Sequence, residues 1–145
     1  MYATKSRKEY LAQKIRSASP MELVLIVYDA AIGFLEGVPE CWKNNEHIQA
    51  GERIIKAQKC IRELKRALNM EVGKEIAENL FGLYRYLDNS LTNASIKRDE
   101  KSLARVLRMM KELRETWGQV AKQNPDLQPA SPDHSGGASY INMYK

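Results

Sequence analysis

The sequence predicts an all-α protein, an antiparallel four-helix bundle with an N-terminal arm or short helix and a disordered C-terminal tail. In four long segments the apolar residues recur at spacings of three and four, which is the period of one helix face. The alternation of apolar and polar residues that is typical of strands is absent from the sequence. Short connections between the segments favour antiparallel neighbours, and 145 residues can bury a core of their own.

The first long helix has a clear predicted start. Ser19 suits the N-cap, Pro20 the first helical position and Glu22 the reciprocal position of a capping box. Leu23–Tyr28 then form an unbroken apolar run, which is more apolar surface than one buried stripe requires. Pro39 predicts an interruption of this helix near residues 36–38.

Three further helices complete the predicted bundle. They are expected from about Glu46 to Leu68, from about Lys74 to Ala94, and from about Asp99 to Lys122, with Asp99 as the cap of the last one. Their predicted core seams are Ile54, Ala57, Ile61, Leu64 and Leu68; Ile76, Leu80, Leu83, Leu87 and Leu91; and Leu103, Val106, Met110, Leu113, Trp117 and Val120.

Composition divides the chain into an arm over residues 1–18, a bundle over residues 19–124 and a tail over residues 125–145. Asn124 and Pro125 predict the stop of the last helix. The tail is rich in proline, glycine and small polar residues, which favours disorder. Its segment Tyr140–Tyr144 is unusually apolar, and it is either part of an inert tail or a segment that docks on an apolar groove.

The net charge of +5 excludes some partners. Most of the excess lies in the arm, and both signs are interspersed over the bundle, so a dedicated nucleic-acid face is not expected. The basic arm leaves a small nucleic-acid-binding regulator as a minor alternative. Membrane insertion is not expected, because every apolar run is too short to span a bilayer. Two cysteines without a CxxC pair and the lack of a secretory signal favour the cytoplasm.

Residues suited to catalysis or metal binding are scarce. His47 and His134 are the only histidines, and neither follows a glutamate at the spacing of a di-iron bundle. We therefore expect no metal, no cofactor and no catalytic residues. One alternative from another class is a His-phosphotransfer module, another four-helix fold, with His47 as the phosphorylated residue and Gly51 four positions later.

The predicted seam of the first helix contains Val24, Val27, Ala31 and Phe34. A second set of apolar residues lies off the predicted seams. Together they predict a groove that accepts amphipathic helices, and the arm is expected to cover it through Tyr10 and Ile15 when no partner is bound. The predicted groove residues are Leu25, Tyr28, Ile32, Ile55, Phe81, Tyr84 and Leu107.

Several motifs, taken in order, resemble the flagellar secretion chaperone family FliS. The resemblance spans about residues 2–122, and its motifs are specific as a set. They are Tyr10 and Ile15 followed by Ala18-Ser19-Pro20; Tyr28-Asp29-Ala30-Ala31-Ile32; Glu75-Ile76-Ala77-Glu78-Asn79-Leu80; Leu83-Tyr84; and Leu113-Arg114-Glu115-Thr116-Trp117. Departures from the family pattern are Ala30 and Lys74, each in place of a glycine, and the break at Gly37-Val38-Pro39.

The resemblance implies a cytoplasmic four-helix bundle that binds the disordered C-terminal segment of flagellin. It implies that this client wraps the bundle, that premature polymerisation is prevented, and that the chaperone contacts the flagellar export gate. A bundle that holds one client in this way is expected to be a monomer.

Overall fold

The computed structural model describes residues 2–68 and 74–123, with the side chains of residues 2–6 left out of the description. Every regular element in these ranges is helical, as predicted. The helices are α1 (Tyr2–Ser17), α2 (Pro20–Glu36), α3 (Val38–Lys43), α4 (His47–Arg66), α5 (Lys74–Lys97) and α6 (Glu100–Gln123).

The start of α2 has the N-cap and the first-turn proline that the sequence predicts. Ser19 is the N-cap, and its hydroxyl accepts a hydrogen bond from the Glu22 amide at 3.2 Å. Pro20 occupies the first turn. Its missing N–H costs no hydrogen bond there, because the first backbone N–H groups of a helix have no intrahelical acceptor.

The predicted break after α2 is confirmed, and an arginine from another helix stabilises it. Gly37 separates α2 from α3. Arg53 of α4 donates from Nε to the Phe34 carbonyl at 2.8 Å and from Nη2 to the Gly33 carbonyl at 2.7 Å. One guanidinium therefore binds carbonyls that the interrupted helix leaves without intrahelical partners.

Replacing Gly37 by alanine is expected to disrupt this arginine contact. A Cβ at position 37 would collide with the guanidinium of Arg53 and displace it from both carbonyls. We expect a loss of about 1.5–3 kcal/mol in the free energy of unfolding, the range for a hydrogen bond that involves a charged group. Urea unfolding of Gly37→Ala measures this loss.

The matched control is Gly37→Ala in an Arg53→Ala background. There the collision no longer occurs, and alanine should be neutral or slightly stabilising through its helix propensity. An equal loss in both backgrounds would contradict the role assigned to Arg53.

The four long helices form a ring in which α2 packs on α4 and α6, and α5 packs on the same two helices. Ion pairs join Asp29 to Arg114 at 2.8 Å and Glu36 to Lys111 at 3.6 Å, so α2 and α6 run antiparallel. The helices α4 and α5 also run antiparallel, because residues late in α4 contact residues early in α5. The predicted antiparallel bundle is confirmed, with α2 and α5 on one diagonal.

A tight turn joins α5 to α6 at one end of the bundle. Arg98 has a positive φ of 52°, and Asp99 then caps α6, as predicted. The Asp99 carboxylate accepts from the backbone N–H groups of Lys101 and Ser102 and, at 2.8 Å, from the Ser102 hydroxyl. The Ser102 bonds, above all the one from its hydroxyl, lower the pKa of Asp99 below its ordinary value.

The buried face of α5 differs from the predicted seam. Ile76 is 68% exposed, and Leu80 and Leu83 are only partly buried. Ala77 and Tyr84 take the inward positions instead. The difference arises because apolar residues lie on more than one side of this helix, and spacing alone does not choose between two stripes.

The arm forms a longer helix than predicted, since α1 extends over Tyr2–Ser17. Its contacts with the bundle are few, and Ile15 is its buried anchor. The predicted connection at residues 69–73 and the predicted disordered tail over residues 125–145 lie outside the described residues. Among the described helices, none combines the length and apolar character that crossing a membrane requires.

Candidate binding surface

The seven predicted groove residues separate into two groups. Tyr28 and Tyr84 are 0% and 2% exposed, and Ile32 is also buried, so these three belong to the core. They line no open groove in the structure described here, and their contact with a client stays a prediction. The second group has side chains that reach the surface. It consists of Leu25, Ile55, Phe81 and Leu107.

The two buried tyrosines meet across the α2–α5 diagonal. The hydroxyls of Tyr28 and Tyr84 form a hydrogen bond at 2.5 Å, and the ring centroids lie 6.5 Å apart. Burial raises the pKa of both phenols above the ordinary value of 10.0, while a hydrogen bond with the Trp117 side chain acts in the opposite direction. Each hydroxyl thus has a hydrogen-bond partner inside the apolar bundle. This bond fixes the position of α2 along the axis of α5.

One group of exposed apolar residues lies along the contact between α4 and α5. Arg62 pairs with Asp88 at 3.5 Å across this contact. Ile55 lies two turns before Arg62, and Phe81 lies two turns before Asp88, so each shares a helix face with its charged neighbour. Lys65 stands over the Phe81 ring, with its amine 5.2 Å from the centroid. We call Ile55, Arg62, Phe81 and Asp88 the α4–α5 boundary.

A second group lies along the contact between α2 and α6. The Arg114 guanidinium holds Asp29 through two hydrogen bonds, at 2.8 and 3.3 Å, and this bond raises the pKa of Arg114. Leu25 lies one turn before Asp29, and Leu107 lies two turns before Arg114. Leu107 also lines a shallow depression of about 630 Å³ on α6. We call Leu25, Asp29, Leu107 and Arg114 the α2–α6 boundary.

These two boundaries lie on opposite sides of the bundle. In the ring of helices, the contact between α4 and α5 faces away from the contact between α2 and α6. The exposed part of the predicted set is therefore divided between two surfaces and does not form one groove. A single straight helix cannot contact both surfaces at once.

The predicted cap residues have different environments. Ile15 is 2% exposed and belongs to the main core cluster, whereas Tyr10 is 66% exposed. Ile15 thus attaches α1 to the bundle, whereas most of the Tyr10 side chain is exposed, and its role as a cap stays a prediction.

His47, the residue of the phosphotransfer alternative, is the first residue of α4. Its side chain is half-buried, and Nδ1 is buried without a hydrogen-bond partner. A first-turn histidine with one buried nitrogen lacks the exposed mid-helix position that phosphoryl transfer between proteins requires. Within residues 2–68 and 74–123, no group of three or more His, Cys, Asp or Glu is placed to hold a metal ion.

Several surface features are not predicted from the sequence. Ile48, Ile96 and Tyr86 are large apolar side chains that the structure exposes outside both boundaries. Asp29 and Arg114 fall within the quoted motifs, but nothing in the sequence pairs residues so far apart in the chain. The signal for this ion pair in the sequence is that the two motifs carry opposite charges at these positions.

Comparison with known proteins agrees with this fold. The family model described as flagellar protein FliS matches residues 2–124. The flagellar secretion chaperone FliS of Bacillus subtilis is 30% identical over 111 residues, which are 77% of this chain and 82% of the relative. Its counterpart from Vibrio cholerae is 30% identical over 125 residues, which are 86% of this chain and 91% of the relative. The FliS of Salmonella typhimurium is 29% identical over 126 residues, which cover 83% of this chain and 93% of the relative. The chain belongs to the FliS family of flagellar secretion chaperones.

Proposed function

We propose that this chain binds the disordered C-terminal segment of flagellin in the bacterial cytoplasm and prevents its premature polymerisation. It then helps deliver this client to the export gate of the flagellar type III secretion apparatus. The chain acts by binding alone, as a monomer with one client, without a cofactor.

The placement of exposed apolar residues on two opposite sides is the observation that carries the proposal. A flexible client can follow the bundle surface from the α4–α5 boundary to the α2–α6 boundary, which a folded globular partner cannot do. Such wrapping buries roughly 2,000 Å² or more, enough to offset the ordering of a disordered segment. Chaperones of polymerising proteins need this property, because they cover an extended segment until it is exported.

The helix α1 fits the role of a displaceable cover. It has few contacts with the ring of helices, and the buried side chain of Ile15 is its anchor. Burial of one isoleucine is worth about 1.5–3 kcal/mol, a cost that a large client interface can meet. In this proposal Ile15, and not Tyr10, is the capping residue.

Calorimetry with a flagellin C-terminal peptide from the same bacterium tests the proposal. We expect binding with a negative heat-capacity change, because apolar surface is buried. Phe81→Ala should weaken the affinity by about tenfold, the typical effect of truncating an anchor at an interface. Tyr86→Ala is the matched control: it is an aromatic residue on the same helix, 45% exposed against 40% for Phe81, but off both boundaries.

Equal losses for Phe81→Ala and Tyr86→Ala would contradict the assigned surface. Absence of binding at tens of micromolar, about the weak limit for a specific interface, would contradict the proposed client. Circular dichroism of both variants establishes that each remains folded, so that a loss of affinity reports on the surface.

A further inference from the structure

The contact between α5 and α6 is closed at one end of the bundle and open at the other. Between the middle of the two helices and the turn at residues 98–99, Leu87 and Leu91 of α5 and Val106 and Met110 of α6 are all buried. The second half of α6, from residue 111 to 123, contains no residue that is fully buried. The packing around α6 therefore loosens toward the end where this helix stops, while Ala77 and Tyr84 of α5 stay buried in the same half.

Large apolar side chains line this loosened half. Leu80 and Trp117 lie about equally far along the chain from the turn, as do Leu83 and Leu113, so each pair shares a level of the antiparallel contact. All four are only partly buried, although each packs against the core. Ile76, one turn before Leu80, is 68% exposed. We call these five residues the open seam.

The tail of the chain starts beside this seam. The described part ends at Gln123, the last residue of α6, and Tyr140–Tyr144 follow after a linker of small residues, prolines and glycines. The family match stops at residue 124, so the tail is a feature of this chain that the family model does not cover. Tyr140, Ile141, Met143 and Tyr144 give it an apolar segment that a solvated linker does not need.

The length of the linker favours the nearby seam over the other end of the bundle. A random coil of the length between Gln123 and Tyr140 spans about 20–25 Å on average. The bundle is about 36 Å long, from the rise of a 24-residue helix. Ile76 lies at the end where α6 stops, whereas Ile48 and Ile96 lie at the other end, beside the α5–α6 turn.

We propose that Tyr140–Tyr144 docks in cis on the open seam. The tail then covers an apolar surface that is separate from the α4–α5 and α2–α6 boundaries, and docking does not depend on the proposed client. At an effective concentration of about 1 mM, which is typical of short linkers, an intrinsic Kd of about 0.1 mM keeps the docked form in roughly tenfold excess.

Methyl NMR of the full chain, labelled at isoleucine δ1, tests this without any partner. We expect nuclear Overhauser contacts between the Ile76 methyl and the ring of Tyr140 or Tyr144, and ring-current shifts at Ile76. Tyr140→Leu/Tyr144→Leu should abolish the shift at Ile76 while Ile48 and Ile96 stay unchanged. Ser131→Ala/Ser135→Ala, in the same tail, is the matched control and should change nothing at Ile76.

Three outcomes would overturn the proposal. The first is an Ile141 methyl at the shift of a free peptide, with no effect of the tyrosine substitutions on Ile76. The second is a shift at Ile55 in place of Ile76, which would place the tail on the α4–α5 boundary. The third is a contact that weakens on dilution, which would identify the occupant as the tail of a second copy.

Discussion

Replacing Tyr28 by alanine should lower the free energy of unfolding by about 3–5 kcal/mol, the range for removing a large aromatic side chain from a core. Tyr28 is fully buried at the centre of the bundle, and its loss also leaves the Tyr84 hydroxyl without its partner on α2. Since a domain of this size is stabilised by only about 5–15 kcal/mol, Tyr28→Ala should remove a large share of the total stability. Urea unfolding followed by circular dichroism measures the change.

A pair of phenylalanine substitutions separates packing from hydrogen bonding. Tyr28→Phe and Tyr84→Phe should each cost about 1–3 kcal/mol, because each leaves one buried hydroxyl without its tyrosine partner. The double variant removes both hydroxyls and should cost less than the sum of the two. Strict additivity would show that the two hydroxyls do not stabilise each other across the diagonal.

Alkaline pH should destabilise the bundle sharply, and the same tyrosines are the main cause. Burial raises the pKa of Tyr28 and Tyr84, and it raises the pKa of Cys60 from 9.0 to about 12. In the unfolded chain these groups lose their protons near their ordinary pKa values, so the unfolded state binds fewer protons above pH 9–10. The contribution of these groups to the free energy of unfolding is thus fully present below their ordinary pKa values. It falls as the pH rises, by up to about 1.4 kcal/mol per pH unit for each group.

Urea unfolding at pH 8, 10 and 11 tests this dependence. Above pH 10, the free energy of unfolding should fall less steeply in the Tyr28→Phe/Tyr84→Phe variant than in the original chain. The slopes should differ by up to about 2.7 kcal/mol per pH unit, because two titrating groups are gone. Cys60→Ala is the control that removes the contribution starting near pH 9. An identical pH dependence in the original chain and the phenylalanine variant would refute the assignment to the tyrosines.

Local signals in the sequence predicted the helix boundaries well. Ser19, Pro20 and Asp99 act through bonds within a few residues, and such bonds depend little on the rest of the fold. The interruption near Pro39 follows from covalent geometry in the same way. The arginine that stabilises this interruption lies in α4, and its partner carbonyls could not be read from sequence.

The candidate surface was harder to predict, because apolar periodicity identifies a face but not what covers it. Tyr28 and Tyr84 lie off the predicted seams and were therefore assigned to the surface. A tyrosine can enter a core when its hydroxyl finds a partner, and here each provides the other's partner from a diagonal helix. Ile76 shows the reverse case, since it fits the seam spacing but lies where the packing between α5 and α6 opens.

The two opposite boundaries set a minimum length for any client that uses both. With helix axes about 10 Å apart and helices about 10 Å across, the path between the middles of opposite sides is about 40 Å around the bundle. An extended chain needs about 12 residues to cover it, and a helical one about 27. Under the proposed function, a client that uses both boundaries needs two anchor motifs separated by at least this spacing, and it is then selected by the distance between the motifs as well as by the motifs themselves.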